Sequence, residues 1–294
     1  MTIPFVPTTV TICIVTYNNA HTLEKCLASL PTGVRLKIWD NASRDDTMAT
    51  LKRLAPHAQV EGAGENLGFG AGHNRLLTTV TTPYVLLLNP DAQLRPNTLA
   101  VLVQALVDHP KALVVGPQHV GDDGAPHSSW KVDDTLYPEP ANRAHIGLGP
   151  WPVGMISGAC MLWRTEAIKA LGGFDENIFL YFEDDDLCAL ARRAGGQVLW
   201  APQAQLQHSV GASLPGMEGA YRRERAMAWS RLYVSRKHAR LSRRPWGWQP
   251  WRWLLTYAKR WLLDTLKRDY RRQARWRGGL VGTWAFTQGC DSHF

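Results

Sequence analysis

Between residues 10 and 115, short uninterrupted apolar runs alternate with segments whose apolar residues recur at helical spacing. No other feature restricts the chain as much. VTICIVT at 10–16, RLKIW at 35–39, the run Val85-Leu86-Leu87-Leu88 and ALVV at 112–115 read as strands, with a shorter one at Gln59 and Val60. A run without polar alternation predicts a strand covered on both faces. Between these runs, Leu23, Cys26, Leu27 and Leu30, then Met48, Leu51 and Leu54, then Leu76 and Leu77 predict helices, as do residues 96–109, which open on a proline. Ser43 and Asp46 are spaced for a capping box at the second helix. Strands alternating with helices build an α/β, Rossmann-like, mostly parallel central sheet with helices on both faces, and ligands of such sheets bind beyond the carboxyl ends of the strands.

Acids stand at or beside those ends: Asp40, Asp91 in the turn Asn89-Pro90-Asp91, and the run Glu183-Asp184-Asp185-Asp186. One such acid reads as a cap or turn residue. Several on one sheet edge suit a site that holds a metal and a nucleotide. The chain has no GxxxxGK[ST], and the glycines of GAGENLGFGAGH miss the GxGxxG spacing, so neither a P-loop NTPase nor a dinucleotide-binding dehydrogenase is expected. Those glycines instead let backbone approach a ligand or a neighbouring strand.

After residue 116 the pattern loosens. Residues 117–152 are rich in Pro, Gly, Asp and His and predict a long loop or excursion. ISGACMLW, the helical TEAIKAL, FLYFEDDDLCALARRAG, the strand QVLW and AQLQHSVGAS follow, and a long helix at 217–239 closes the body. In FEDDDL, four carboxylates crowd a helix start directly behind Phe179, Leu180, Tyr181 and Phe182. The helix dipole favours acids there, and an acid against an apolar wall is also suited to act as a general base.

The five cysteines show no CxxC spacing, which fits a reducing compartment better than a disulfide framework or zinc module. No signal peptide or membrane-spanning helix is expected. The net charge of +8 is unevenly spread: residues 222–277 carry 18 Lys and Arg against three acids, and eight of the 13 tryptophans follow residue 221. In the tail, Leu254, Leu255, Ala258, Leu262 and Leu266 share one helical face with Trp261 at its border, while Arg252, Lys259, Arg260, Lys267 and Arg271 occupy much of the remainder. That pattern describes a helix lying in a membrane interface. The alternative is a helix packed on the body or on a second copy of the chain, which would make a homodimer. A nucleic-acid-binding reading of the basic tail finds no recognised motif and meets an acidic body.

The stretches IVTYNN, WDNASRDDT, ENLGFGAGHN, LLLNPDA, SGACMLWRTEAIKALGGFDE, FLYFEDDDLCALARRAG and HSVGAS, in this order over residues 10–213, resemble the inverting nucleotide-sugar glycosyltransferases of family 2, within them the rhamnosyltransferase-like branch. The resemblance implies a GT-A catalytic domain over residues 1–240 and leaves 241–294 as a helical basic extension. It implies that Thr16 and Tyr17 line a nucleobase pocket and that Asp40 accepts a hydrogen bond from a pyrimidine N3–H. Asn66, Gly68, Gly70 and Gly72, with Asn74 nearby, would shape the floor beneath the nucleotide. Asn89-Pro90-Asp91 stands where the family has its DxD motif, so Asp91, with His208, would hold Mn²⁺ or Mg²⁺ against the donor's diphosphate. Asp184 would be the catalytic base, supported by Glu183 and Asp186, and Gly158 and Ala159 would line the sugar pocket. The implied partners are a dTDP- or UDP-sugar, foremost dTDP-L-rhamnose, and a saccharide or lipid-linked acceptor of a bacterial surface glycan. The implied location is the cytoplasm, peripheral on the inner face of the cell membrane. An inactive nucleotide-sugar- or glycan-binding homologue is the other alternative, against which Asp91, Asp184 and His208 stand together.

Overall fold

A computed structural model describes residues 7–131, 149–208, 216–238 and 248–292. In chain order the elements are β1 (Val10–Thr16), α1 (Ala20–Ala28), β2 (Arg35–Asp40), α2 (Thr47–Leu54), β3 (Gln59–Gly62), α3 (Phe69–Leu77), β4 (Tyr84–Leu88), β5 (Ala92–Leu94), α4 (Thr98–Asp108) and β6 (Ala112–Val120). There follow β7 (Pro126–His127), β8 (Trp130–Lys131), β9 (Trp151–Val153), β10 (Met155–Ile156), β11 (Cys160–Arg164), α5 (Thr165–Ala170), α6 (Glu183–Arg193), β12 (Gln197–His208), α7 (Gly216–Lys237), α8 (Gln249–Leu266) and α9 (Tyr270–Thr287). The chain groups into two units, Met1–Asp175 with Leu187–Val210 and Glu176–Asp186 with Gly211–Phe294, each described by itself below.

The first unit is an α/β layer structure on a central sheet of order β3-β2-β1-β4-β11-β6-β12-β5. The pairs β1/β2, β1/β4, β2/β3 and β6/β12 are parallel. The uninterrupted run of β4 divides its side chains between the two faces. Leu86 and Leu88 pack with Leu23, Leu51, Leu99 and Leu102 of α1, α2 and α4, whereas Val85 and Leu87 pack with Leu76, Ile168 and Leu187 of α3, α5 and α6. Each fully buried leucine contributes about 2 kcal/mol of transfer free energy, which is why this strand reads so clearly in the sequence. β1 has β2 on one side and β4 on the other, so the strand order reverses there and the carboxyl ends of β1 and β4 open a crevice. β11 runs antiparallel to β4 with Cys160 opposite Leu88, which brings the start of β11 to that same edge.

Several local expectations change. The capping box does not form: Asp46 makes no side-chain cap, and Ser43 bonds Asp40 instead. The helix expected at 96–109 begins at Thr98 behind Asn97, which caps it in a left-handed conformation. The region 117–152 is not a plain loop, since β6 continues to Val120 and β7, β8 and β9 follow within its described part. Gly70 and Gly72 lie inside α3. A Cβ on Gly70 would stand 2.7 Å from the Cβ of Phe174, and one on Gly72 would press on Val15 and Trp39, so these glycines serve close packing of the helix on its neighbours.

The second unit packs α7, α8 and α9. Gly278 and Gly282, one turn apart on α9, let that helix meet the backbone carbonyls of Tyr221 and Arg225 on α7, where any Cβ would clash. Tyr257, Trp276 and Ala228 form its small core. α8 buries Pro250, Tyr257 and Asp264, spaced seven apart on one face. Among the described residues no helix is long and apolar enough to cross a membrane.

Candidate active site

At the carboxyl ends of β1 and β2, Thr16 stands opposite Asp40 in the parallel register. The Asp40 carboxylate is buried and accepts from Thr16 Oγ1 at 3.0 Å, Ser43 N at 2.9 Å and Ser43 Oγ at 2.6 Å. A carboxylate offers about four acceptor sites, so this one keeps room for one further donor while its orientation is already set. Thr16 itself is fully buried with its hydroxyl committed to Asp40, and therefore acts on any ligand through that acid. Tyr17, 42% exposed, presents its ring to solvent. Asn66 Oδ1 accepts from Gly68 N, and Gly68 has φ 90°, a conformation costly for any side-chain-bearing residue. The loop is tied to the sheet by Asn41, whose amide donates to Gly68 O and whose Oδ1 accepts from Leu67 N and Trp39 Nε1. Asn74 pins Phe174 through both its N–H and its carbonyl.

A second group forms where β4 ends. Asn89 N donates to Ala159 O at 3.0 Å, which sets Gly158 and Ala159, both buried, beside the Asn89-Pro90-Asp91 turn. β5 then pairs with β12, with His208 opposite Ala92, and His208 Nε2 lies 3.4 Å from Asp91 Oδ1. Residues 117 positions apart in sequence are thus joined. His119 on β6 sets its ring edge-on to His208, with centroids 5.5 Å apart. Burial, assisted by His208 and His127, lowers the His119 pKa to about 3, so its ring is neutral. Cys26 donates to Asn89 O, and burial together with the Asp91 charge pushes its thiol up to about 12, which makes it inert as a nucleophile.

Three buried atoms of this group, Asn89 Oδ1, His208 Nδ1 and His119 Nε2, have no partner among the described residues. Buried polar atoms are normally satisfied, so such a cluster calls for an explanation. Oxygen acceptors and imidazoles beside an acid fit a divalent cation. Among the described residues no three His, Cys, Asp or Glu side chains already converge as a ligand set. Asp91 and His208 are therefore the pair that could hold a cation, leaving most of its coordination to phosphate and water.

The acidic run opens α6 directly after Tyr181 and Phe182, both with left-handed backbone at φ 67° and 69°. Such conformations cost about 1–3 kcal/mol each and persist only where surroundings impose them. Here Ser230 Oγ donates to Leu180 O and Phe179 N donates to Ser292 Oγ. The four acids differ in state. Asp186 is fully buried and bridges Lys237 Nζ at 2.8 Å and His238 Nε2 at 2.7 Å. Glu183 is buried, and burial reinforced by the charges of Asp184 and Asp185 pushes its carboxyl well above the usual carboxylate range. Asp184 and Asp185 remain half-buried, with Asp184 Oδ1 accepting from Asp185 N.

Sequence reasoning overlooked Asn41 and His119, and read Ser43 as a helix cap rather than as a partner of Asp40. Asn41 and Ser43 lie within the quoted WDNASRDDT stretch, and their polarity beside Asp40 was the available signal. Residues 209–213 of HSVGAS lie outside the described residues.

Residues 11–172 match the family described as Glycosyl transferase family 2. The chain is 27% identical over 296 aligned positions to the N-acetylglucosaminyl-diphospho-decaprenol L-rhamnosyltransferase of Mycobacterium tuberculosis, covering 89% of this chain and 95% of that one. Its fold is similar to the mannosyltransferase PcManGT from Pyrobaculum calidifontis in complex with GDP-Man and Mn²⁺, at a TM-score of 0.62 and 18% identity over 97% of this chain and 90% of that one. It is also similar to S. aureus TarS 1–349 in complex with UDP, at a TM-score of 0.53 and 17% identity over 95% and 91% of the two chains. These are GT-A glycosyltransferases, and the alternation of strands and helices read from the sequence leads to the same architecture. The chain belongs to glycosyltransferase family 2, is rhamnosyltransferase-like within it, and is a glycosyltransferase.

Proposed function

We propose that this enzyme transfers L-rhamnose from dTDP-L-rhamnose, with inversion, to a saccharide or lipid-linked acceptor in surface-glycan synthesis. The observation that carries the reading is the meeting of Asp91 and His208 at a strand end, amid buried atoms that lack partners among the described residues. The sugar and acceptor class are supported by similarity, over nearly the whole chain, to a protein named as a lipid-linked rhamnosyltransferase.

Asp40, pre-set by Thr16 and Ser43, accepts the pyrimidine N3–H with its remaining acceptor site, and Tyr17 lies against the base. Gly158 and Ala159 leave space for the sugar close to backbone. Asp91 and His208 would hold Mn²⁺ or Mg²⁺, which would supply neutralisation of the charge developing on the diphosphate. Asp184 removes the acceptor O–H proton as that oxygen attacks the anomeric carbon and the bond to diphosphate breaks. Glu183, whose burial and acidic neighbours favour the neutral acid, supports Asp184, and Asp186 is committed to Lys237 and His238.

The tail supports a peripheral membrane location. α8 packs through Tyr257 and Asp264, while Trp251, Leu255, Leu262 and Leu266 on the opposite face are 56, 72, 56 and 75% exposed. Arg252 and Lys259 flank that stripe, suiting an anionic leaflet. Full-length protein should float with anionic vesicles at low salt, and Leu255→Asp/Leu262→Asp should not. Equal flotation of both discards this location.

The enzymatic reading is tested with a panel of nucleotide sugars, with and without EDTA, reading product configuration by NMR. Transfer from dTDP-L-rhamnose, inverted and abolished by EDTA, is expected. Efficient use of a GDP-sugar, retention of configuration or full activity in EDTA would each overturn the corresponding part.

A further inference from the structure

Asp91, His208 and His119 stand on or beside three neighbouring strands, β5, β12 and β6. In the register His119 is opposite Leu206, and His208, two residues further along β12, faces the same side of the sheet. His119 is 3% exposed, its Nε2 has no partner among the described residues, and nothing in the reaction described above uses it. A phenylalanine would fill the same space without a polar atom to satisfy, so the imidazole is unexplained by packing. Two imidazoles that ligate one cation at about 2.1 Å have ring centroids within roughly 6.5 Å of each other. The observed 5.5 Å lies inside that limit.

We propose that His119 is a third protein ligand of the cation site, adding a second imidazole nitrogen to Asp91 and His208. The inference rests on the reading of those two residues as cation ligands. Since no three such side chains among the described residues already converge, His119 would reach the cation by turning about its side-chain bonds, while β6 holds its backbone. A second imidazole shifts preference toward Mn²⁺ over Mg²⁺, because imidazole suits softer transition ions and Mg²⁺ prefers oxygen.

Pulsed EPR on the full-length protein with Mn²⁺ and dTDP counts imidazole nitrogens coupled to the metal. Two imidazoles are expected in the wild type and one each in His119→Phe and His208→Phe. The Mn²⁺ Kd should rise on the order of tenfold in His119→Phe, with the Mg²⁺ Kd changing less. The wild-type count decides even if a variant fails to fold. One imidazole in the wild type, retained in His119→Phe and lost in His208→Phe, overturns the role of His119 and leaves the Asp91–His208 pair standing. No coupled imidazole at all overturns both.

Discussion

Glu224 in the helical unit and Asp91 at the sheet edge are both nearly buried acids, but their surroundings differ in kind. Glu224 accepts from Tyr257 Oη on one oxygen and from Arg275 Nε on the other, each at 2.8 Å, and Arg231 in turn donates to Tyr257 Oη. Nearby, Trp276 Nε1 donates to Asp264 at 2.6 Å. Donors and acceptors there are complementary and close on one another. Around Asp91 the neighbours are another amide oxygen and two imidazoles, three of whose buried atoms have no partner among the described residues. Complementary groups hold a fold together, whereas buried polar atoms without partners among the described residues leave capacity for a ligand. The same distinction reduces the basic character of the tail: Arg231 and Arg275 are engaged with Glu224, Tyr257, Trp253 and Trp276, so part of that charge is structural.

Function and stability should therefore separate. Asp184→Asn is expected to lower transfer by about 10²–10⁴-fold, the usual worth of a general base, while donor binding stays within a few-fold. Steady-state kinetics and dTDP titration measure the two. More than a tenth of wild-type turnover in a folded variant would show that Asp184 is not the base. Glu224→Ala should do the reverse. It leaves Tyr257 and the half-exposed Arg275 without their acceptor and costs about 1–3 kcal/mol in urea unfolding. Donor hydrolysis per folded molecule should be unchanged. A variant that unfolds no more easily would erase the contrast with Asp91.

His73 is the case that the contrast does not cover. Both ring nitrogens lack partners among the described residues, yet it sits in the core against Phe69 and Phe174, and burial lowers its pKa to about 3. A depressed histidine pKa contributes stability that is present above about 6.5 and is lost as pH falls towards 3. His73→Phe keeps the ring and removes the titration. Its stability should match the wild type near pH 7 and exceed it by about 3 kcal/mol at pH 4. Parallel stability curves from pH 7 to 4 would exclude His73 from acid unfolding.

What the sequence disclosed was whatever its own neighbours determine. The run of β4 and the bounds of β1 were legible because apolar runs bury themselves whatever their partner, and the places of Asp40 and Asp91 at strand ends and of the FEDDD run at a helix start were legible because each follows a recognisable local pattern. β5 was not: AQL becomes a strand only by pairing with β12 more than a hundred residues later. β6 continues through Pro117 for the same reason, since pairing with β12 outweighs a residue that weakens strands. His119 gained meaning only when that pairing set it beside His208. Ser43 shows the opposite failure, a valid local motif displaced by Asp40 three residues earlier.

The smallest expected effect concerns Glu183, whose neighbour Asp184 carries the proposed chemistry. Its raised pKa means that the fold favours the neutral acid. The sign follows from linkage. The stability it contributes is complete below the unfolded value of about 4.3 and is lost as pH rises through the higher folded value. Glutamine has nearly the shape of the protonated acid and cannot ionise. Glu183→Gln and wild type should therefore have equal thermal stability near pH 4. The variant should become the more stable of the two as pH rises, by about 1.4 kcal/mol for each pH unit passed between the two pKa values. Its turnover should stay within tenfold of wild type, since glutamine keeps the size and shape of the acid and Asp184 carries the proposed chemistry. Melting curves from pH 4 to 8 read the first effect, and kinetics at neutral pH read the second. A stability gap that is constant or widest at low pH would mean that Glu183 is ionised in the fold. Loss of turnover as large as that of Asp184→Asn would move the base from Asp184 to Glu183.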